Sequence, residues 1–149
     1  MDCAAVILWM VFMSGLSTDH FSSAHTAPFT TELLLKFLPS LAVLGIETID
    51  LLVRKAAHIS EYFIFAVLLM NVLNNRSALS RERQIIWGVI LGVIYAVGDE
   101  LHQSFVPSRS PTAGDVLIDT IGFVSGTLCF YTLVAIRRAK ATHADTPAR

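Results

Sequence analysis

The sequence predicts an all-α membrane protein: a bundle of four transmembrane helices with an amphipathic outer segment between helices 1 and 2. Only 15% of its 149 residues are charged, whereas soluble domains have about 25%. The mean hydropathy is +0.60, and long apolar runs alternate with short polar stretches. Helices suit such a chain because each satisfies its own backbone hydrogen bonds inside a bilayer.

The first predicted span covers residues 3–18. Its length is that of a signal peptide, yet Asp2 precedes it and no lysine or arginine does. A secretory signal needs a basic start, so we predict a retained helix. The span is short for a hydrocarbon core of about 30 Å, and helix tilt or local thinning of the bilayer must compensate.

The outer segment contains the stretch "TELLLKFLPSLAVL". Leu33, Leu34, Phe37, Leu38 and Leu41 recur there at helical spacing, which is typical of a helix lying in the membrane interface. Pro39 should interrupt or bend this helix. A connecting helix packed against the core is the alternative interpretation.

Three further spans are predicted at residues 56–73, 85–105 and 115–136. The polar tail, residues 137–149, is expected to be disordered. Residues 1–136 therefore form a single transmembrane domain, without a soluble second domain. Cys3 and Cys129 lie in apolar runs without any Cys-x-x-Cys spacing, so they indicate neither a disulfide nor a zinc site.

Basic residues predict the orientation, because short loops rich in lysine and arginine stay in the cytoplasm. The loop before the third span and the C-terminal tail share one side, which carries Arg76, Arg81, Arg83, Arg137, Arg138 and Lys140. The other side carries Lys36, Arg54, Lys55 and Arg109. We therefore predict that both termini are cytoplasmic.

Ionisable and amide side chains gather near the predicted outer ends of the last three spans. The second span carries Lys55, His58 and Glu61, the third carries Asp99, Glu100, His102 and Gln103, and the fourth carries Asp115 and Asp119. A charge inside the bilayer costs roughly 2.5–3.5 kcal/mol, so such groups should face the bundle interior and mark a functional site. The sequence therefore predicts one polar pocket in the outer leaflet.

Small residues continue the helical faces on which these polar residues lie. One stripe of the third span holds Gly88, Gly92, Ala96, Asp99 and Gln103, and one stripe of the fourth holds Asp115, Asp119, Gly122 and Gly126. Glycines four residues apart let membrane helices approach closely, so we expect the third and fourth spans to pack on their glycine faces. Asp115 is expected to cap the fourth span. Arg109, in the preceding loop, is expected to neutralise the pocket or to bind an anionic group.

Two stretches, "RKAAHISEYFIFAVLL" and "DELHQSFVPSRSPTAGDVLIDTIGFVSG", closely resemble the VanZ-like family of small bacterial membrane proteins. The positions that match its motifs are Lys55, His58, Glu61, Tyr62, Asp99, Glu100, Gln103, Phe105, Pro107, Arg109, Asp115, Asp119 and Gly122. Ser108 departs from a common glycine, and Asp119 stands where many members carry asparagine. The resemblance covers about residues 52–130.

The resemblance implies a role in the bacterial cell envelope and a location in the cytoplasmic (inner) membrane. The family's namesake is associated with low-level teicoplanin resistance, by a mechanism that is not settled. The resemblance therefore implies a setting for the protein, and it does not imply a reaction.

Our first functional hypothesis is a binding protein. Its pocket would hold a lipid-linked envelope precursor, a peptide or a glycopeptide, and so lower teicoplanin susceptibility. The ligand-binding candidates are Lys55, Tyr62, Gln103, Arg109, Asp115 and Asp119. Membrane lipids are the expected partners, and the net charge of −1 indicates no nucleic-acid partner.

The second hypothesis is a membrane-embedded enzyme acting on a lipid-linked anionic headgroup. The catalytic candidates are His58, Glu61, Asp99 and Glu100, of which His58 and Glu61 suit acid–base chemistry. The donors are also compatible with a divalent cation that activates water, with His58, Glu61, Asp99 and Asp119 as candidate ligands, although no known metal motif is complete. A third hypothesis is a salt-bridge network that only fixes helix register.

Overall fold

The computed structural model describes residues 3–18, 23–107 and 112–144. Over these residues the chain forms α1 (Cys3–Leu16), α2 (Ser23–Phe37), a 3-10 helix (Pro39–Leu44), α3 (Ile46–Arg76), α4 (Arg81–Gln103) and α5 (Ala113–Ala144), and it contains no strand. Three of these helices, α3, α4 and α5, are long and apolar enough to cross a membrane, and α1 is a shorter apolar helix. By helix length and hydropathy the chain is a multi-pass membrane protein.

Two helices extend beyond their predicted bounds. α3 begins at Ile46 rather than at residue 56, and α5 continues to Ala144. The prediction of a disordered tail is therefore wrong for residues 137–144. These residues are rich in Ala, Arg and Lys, which favour a helix even where no packing supports it.

α3 and α5 run parallel and touch at their backbones. A Cβ atom added to Gly122 would lie 2.6 Å from the carbonyl oxygen of Ile59, and one added to Gly126 would overlap the carbonyl oxygen of Phe63. Both contact positions advance by four residues on each helix, which shows that the two helices point the same way. Glycine is required at both positions because any side chain would push the helices apart.

The glycine face of α5 therefore packs on α3, and the prediction that it packs on the glycine face of α4 is wrong. The glycines of α4 approach other partners: Gly88 faces the Met70 side chain of α3, and Gly92 faces the Phe123 ring of α5. A Gly-x-x-x-Gly pair indicates that some helix comes close. It carries no information about which neighbour does so.

α1 lies beside α3 and α4 and is parallel to α4. The Tyr95 hydroxyl donates to the carbonyl oxygen of Met10 (2.8 Å), and the Trp9 indole N–H donates to the carbonyl oxygen of Glu61 (3.0 Å). The start of α1, the α3–α4 turn and the end of α5 consequently lie at one end of the bundle. The α4–α5 connection and the end of α1 lie at the other.

The buried core is aromatic and apolar, and the outer faces of the long helices are apolar too. Tyr62, Phe65, Met70, Ala96 and Phe123 are among the core residues. Exposed apolar side chains include Ile86, Trp87, Ile94, Leu117, Ile121 and Leu128. An apolar outer surface is what helices in contact with lipid present.

The segment between α1 and α3 changes direction where the sequence predicts. α2 ends at Phe37, and the 3-10 helix begins at Pro39, because a residue that precedes proline avoids the helical conformation. Phe29, Leu33 and Phe37 of α2 are exposed. Their exposure disfavours the alternative in which this helix packs against the core.

Candidate functional site

The most buried ionisable contact of the described residues joins α3 to α5. His58 Nδ1 lies 3.0 Å from Asp119 Oδ1, and Asp119 is 0% exposed. The second carboxylate oxygen, Asp119 Oδ2, has no hydrogen-bond partner in the part of the chain that the structure describes. His58 and Asp119 meet because they lie next to the close contact that Gly122 makes with Ile59.

A second contact between these helices lies one turn further toward the α4–α5 connection. Lys55 Nζ lies 3.3 Å from Asp115 Oδ1, and the Thr112 hydroxyl donates to Asp115 Oδ2 (3.0 Å). The Thr112 hydroxyl also accepts from the Asp115 backbone N–H (3.2 Å). Thr112 directly precedes the first residue of α5, so it is the N-cap. The prediction that Asp115 caps this helix is wrong, because Asp115 is its third residue and its carboxylate is bound to Lys55.

Glu100 ties α4 to the same group. Its Oε2 atom accepts from the Thr112 backbone N–H (3.0 Å), while its Oε1 atom is buried and unpartnered among the described residues. We call the set formed by Lys55, His58, Glu100, Thr112, Asp115 and Asp119 the α3–α5 network. Glu100 thus faces α5, whereas the preceding residue, Asp99, faces α1.

Asp99 belongs to a second set, the α1–α4 network, formed by Ser17, Asp99 and Gln103. The Ser17 hydroxyl donates to Asp99 Oδ1 (2.7 Å), and Gln103 Nε2 donates to Asp99 Oδ2 (3.0 Å). Gln103 Nε2 also lies 3.3 Å from the Ser17 hydroxyl oxygen. All three side chains are buried, so the Asp99 carboxylate is hydrogen-bonded on both oxygens.

Sequence reasoning missed Ser17. The signal was the spacing of Ser14 and Ser17 near the end of an otherwise apolar helix, where hydroxyl groups three residues apart share one face. Ser14 also contacts a polar side chain of α4, because its hydroxyl lies 3.1 Å from the Tyr95 hydroxyl. Polar residues on one face of α1 would have indicated a polar partner on the neighbouring helix.

Tyr62 and Glu61 lie beside these networks on α3. Tyr62 is 0% exposed, and its hydroxyl has no hydrogen-bond partner among the residues described. The Tyr62 ring centroid lies 6.1 Å from that of Tyr95 on α4. Glu61 is half-buried, and its carbonyl oxygen accepts from Trp9.

The remaining predicted residues are placed less centrally or lie outside the description. His102 is exposed at the end of α4, as expected for a residue at headgroup level. Arg109, together with the departure at Ser108, lies outside the described residues. Tyr131, near the end of the fourth predicted span, is buried and donates to Gln84 Oε1 (2.7 Å) at the opposite end of the bundle.

The candidate metal ligands are not gathered at one point. Across residues 3–18, 23–107 and 112–144, no three His, Cys, Asp or Glu side chains are grouped as a metal site. Of the candidates, His58 and Asp119 are in contact, whereas Asp99 is bound to Ser17 and Gln103.

Comparison with known proteins identifies the family. The sequence model of the VanZ/LLP1 family matches residues 3–135. No curated protein and no solved structure matches the chain. The match covers nearly the whole chain and includes every predicted site residue, so the chain belongs to the VanZ/LLP1 family.

Proposed function

We propose that this member of the VanZ/LLP1 family is a cell-envelope protein that binds a lipid-linked or peptide ligand in the outer leaflet. The ligand would contact the polar groups that α3, α4 and α5 gather at one end of the bundle. By holding an envelope component, the protein would lower susceptibility to glycopeptides such as teicoplanin.

One observation carries this proposal: three buried polar atoms in the same region lack a partner among the described residues. They are Tyr62 Oη, Glu100 Oε1 and Asp119 Oδ2. Leaving a buried polar group unsatisfied costs about 1–3 kcal/mol, and more for a charged group. Native proteins rarely accept that cost three times in one place without a functional reason. A bound ligand would supply the missing hydrogen bonds.

The same observation disfavours a purely structural network. A network that only fixed helix register would gain most from complete satisfaction of its polar groups, since a partly satisfied one is worse than an apolar core. At the opposite end of the bundle, Gln84 shows the structural pattern. It accepts from Tyr131 and donates to the carbonyl oxygen of Leu79.

The proposal includes a membrane topology. In this topology α1 crosses the membrane together with α3, α4 and α5. Both termini are cytoplasmic in the bacterial inner membrane, and α2 lies in the outer interface. The parallel course of α1 and α4 supports this arrangement, because it puts the start of α1 beside the basic α3–α4 turn. α1 has 14 residues, or about 21 Å, so the bilayer must thin beside it.

The test combines bound-lipid mass spectrometry of the purified protein with teicoplanin susceptibility of cells that express it. Glu100→Gln and Asp119→Ala should each lose the retained lipid-linked or peptide ligand and the change in susceptibility. Thr127→Val is the matched control, because Thr127 is also buried with an unpartnered hydroxyl but lies two turns from Asp119 on α5. Wild-type retention and susceptibility in both acidic variants would refute the proposal.

A second candidate function is acid–base catalysis on a lipid-linked anionic headgroup, and the His58–Asp119 contact favours it. A buried carboxylate that binds Nδ1 of an imidazole fixes the ring and leaves Nε2 to exchange a proton with a substrate. The purified protein should then turn over a labelled lipid-linked diphosphate, and His58→Gln should abolish the turnover. Absence of any turnover by the wild type would exclude this candidate.

A further inference from the structure

α1 and α4 enclose a groove that opens on the outer surface of the bundle. Its volume is about 330 Å³, and it is lined by Ser14, Ile94, Tyr95, Gly98, Asp99 and His102. Ser14, Ile94, Gly98 and His102 are exposed, whereas Asp99 at its inner wall is 8% exposed. We call it the α1–α4 groove. It leads from the lipid-facing surface of the protein to a buried carboxylate.

The residues that line the groove are partly apolar and partly polar, which suits an amphiphilic ligand. Ile94 lines it, and Val97 and Leu101 are exposed on the same helix, so an acyl chain would meet apolar surface. Among the described residues, no lysine or arginine lines it. Asp99 accepts one hydrogen bond on each oxygen, which leaves about two of the roughly four acceptor positions of a carboxylate.

The interior beyond Asp99 also offers acceptors. Glu100 Oε1 and Asp119 Oδ2 are buried oxygens that no described donor reaches. Lys55, a described cation of this region, is already bound to Asp115. A ligand that completes this arrangement must bring N–H donors and positive charge.

We propose that the α1–α4 groove is the lateral entrance through which a membrane lipid with a primary ammonium headgroup reaches Asp99. A primary ammonium has three donors and no acceptor, which matches the acceptor positions that Asp99 leaves open. The inference rests on the proposed function and gives that site its ligand class and its route of entry.

Two glycines provide a matched pair of variants. A Cβ atom added to Gly98 or to Gly15 would have no atom within 4 Å, and both residues are exposed. Gly98 lines the groove, whereas Gly15, on the facing helix α1, does not. Gly98→Leu should therefore fill the entrance without disturbing the core, and Gly15→Leu should make the same chemical change outside it.

The experiment uses the full-length protein in nanodiscs of equimolar phosphatidylethanolamine and phosphatidylglycerol with identical chains. Native mass spectrometry measures which lipid stays bound as collision energy rises, and thermal unfolding checks each variant. The wild type and Gly15→Leu should retain phosphatidylethanolamine preferentially. Gly98→Leu should reduce its retention by about tenfold, which corresponds to about 1.4 kcal/mol, because the added side chain would occupy the entrance.

Each result tests a different part of the proposal: the entrance, the ligand class or the binding site. Equal retention by Gly98→Leu and the wild type would overturn the entrance, and preferential retention of phosphatidylglycerol would overturn the ammonium class. In either case the proposed function stands if Asp119→Ala still abolishes binding of the ligand identified in the purified protein. Loss of phosphatidylethanolamine from Gly98→Leu alone, with normal thermal stability, would support the inference.

Discussion

The Ser17 hydroxyl donates a 2.7 Å hydrogen bond to Asp99 Oδ1 and thereby joins the end of α1 to the last turns of α4. Both residues are buried. Hydrogen bonds to a charged group are the stronger kind, with a net value of about 1.5–3 kcal/mol. The first helix is therefore part of the polar region that the other three form.

Replacing Ser17 by Ala should lower the free energy of unfolding by about 1–3 kcal/mol, because the Asp99 carboxylate loses a donor in a buried place. Thermal unfolding in detergent measures this loss. Ser14→Ala is the control. Ser14 is exposed, and its partner Tyr95 keeps its bond to Met10. Equal stability of Ser17→Ala and the wild type would show that this bond contributes nothing.

Replacing each of three glycines by alanine should show that a glycine in contact with backbone matters more for stability than one in contact with a side chain. Gly122→Ala should destabilise the protein by about 1–3 kcal/mol or more, because its Cβ meets the Ile59 backbone, which cannot move aside. Gly88→Ala should cost less, since it meets the mobile end of the Met70 side chain. Gly15→Ala should be neutral or stabilising, as alanine favours an exposed helix by up to about 1 kcal/mol. Unfolding temperatures that do not follow this order would contradict the close packing of α3 and α5.

Removing the Thr112 hydroxyl should destabilise the start of α5. Thr112→Val loses the N-cap and the donor to Asp115, and N-cap removal costs about 0.5–2 kcal/mol. Thr112→Ser retains the hydroxyl and should behave like the wild type. Hydrogen exchange of the first turn of α5 measures the effect locally. Unchanged exchange in Thr112→Val would mean that the cap is dispensable.

Tyr131→Phe should lower the stability of the protein without changing its ligand binding. It removes the donor to Gln84, so the buried amide oxygen of Gln84 loses its partner, and stability should fall by about 1–2 kcal/mol. The retained lipid should not change, because this contact lies at the end of the bundle opposite the α3–α5 network. Lipid loss in this variant would show that ligand retention reports only general stability.

Cysteine labelling tests the topology. In a Cys3→Ala, Cys129→Ala background, a membrane-impermeant maleimide should label Pro107→Cys in intact cells. It should label Leu79→Cys only after the cells are opened. Both positions are exposed in the protein, so a difference in labelling would report the side of the membrane on which each position lies. The reverse pattern would place the polar region in the cytoplasmic leaflet.

The helical faces could be predicted because burial follows spacing. Asp99 and Gln103 lie with Ala96 on one stripe of α4, and Asp119 lies with Gly122 on one stripe of α5, and all five are buried. The cost of charge in lipid is enough to turn such a stripe inward. Periodicity thus indicates which side of each helix faces the interior.

What could not be predicted was which helix each face meets. The glycines of α5 touch α3, Glu100 faces Thr112, and Asp99 binds Ser17. Each of these contacts depends on how four helices are arranged, and spacing along one helix carries no information about that arrangement. The role of Arg109 stays a prediction, since it lies outside the described residues.

Backbone contact through Gly122 and Gly126 has a mechanical consequence. Two helices that touch at their carbonyl oxygens cannot slide past each other without steric overlap, so α3 and α5 must move as one rigid body. α1 is short, and it is held to α3 and α4 by hydrogen bonds at Trp9, Met10, Ser14 and Ser17 and by the core side chains Val6 and Met13. We therefore expect exchange of a bound molecule to proceed by outward displacement of α1 while the rigid pair stays still.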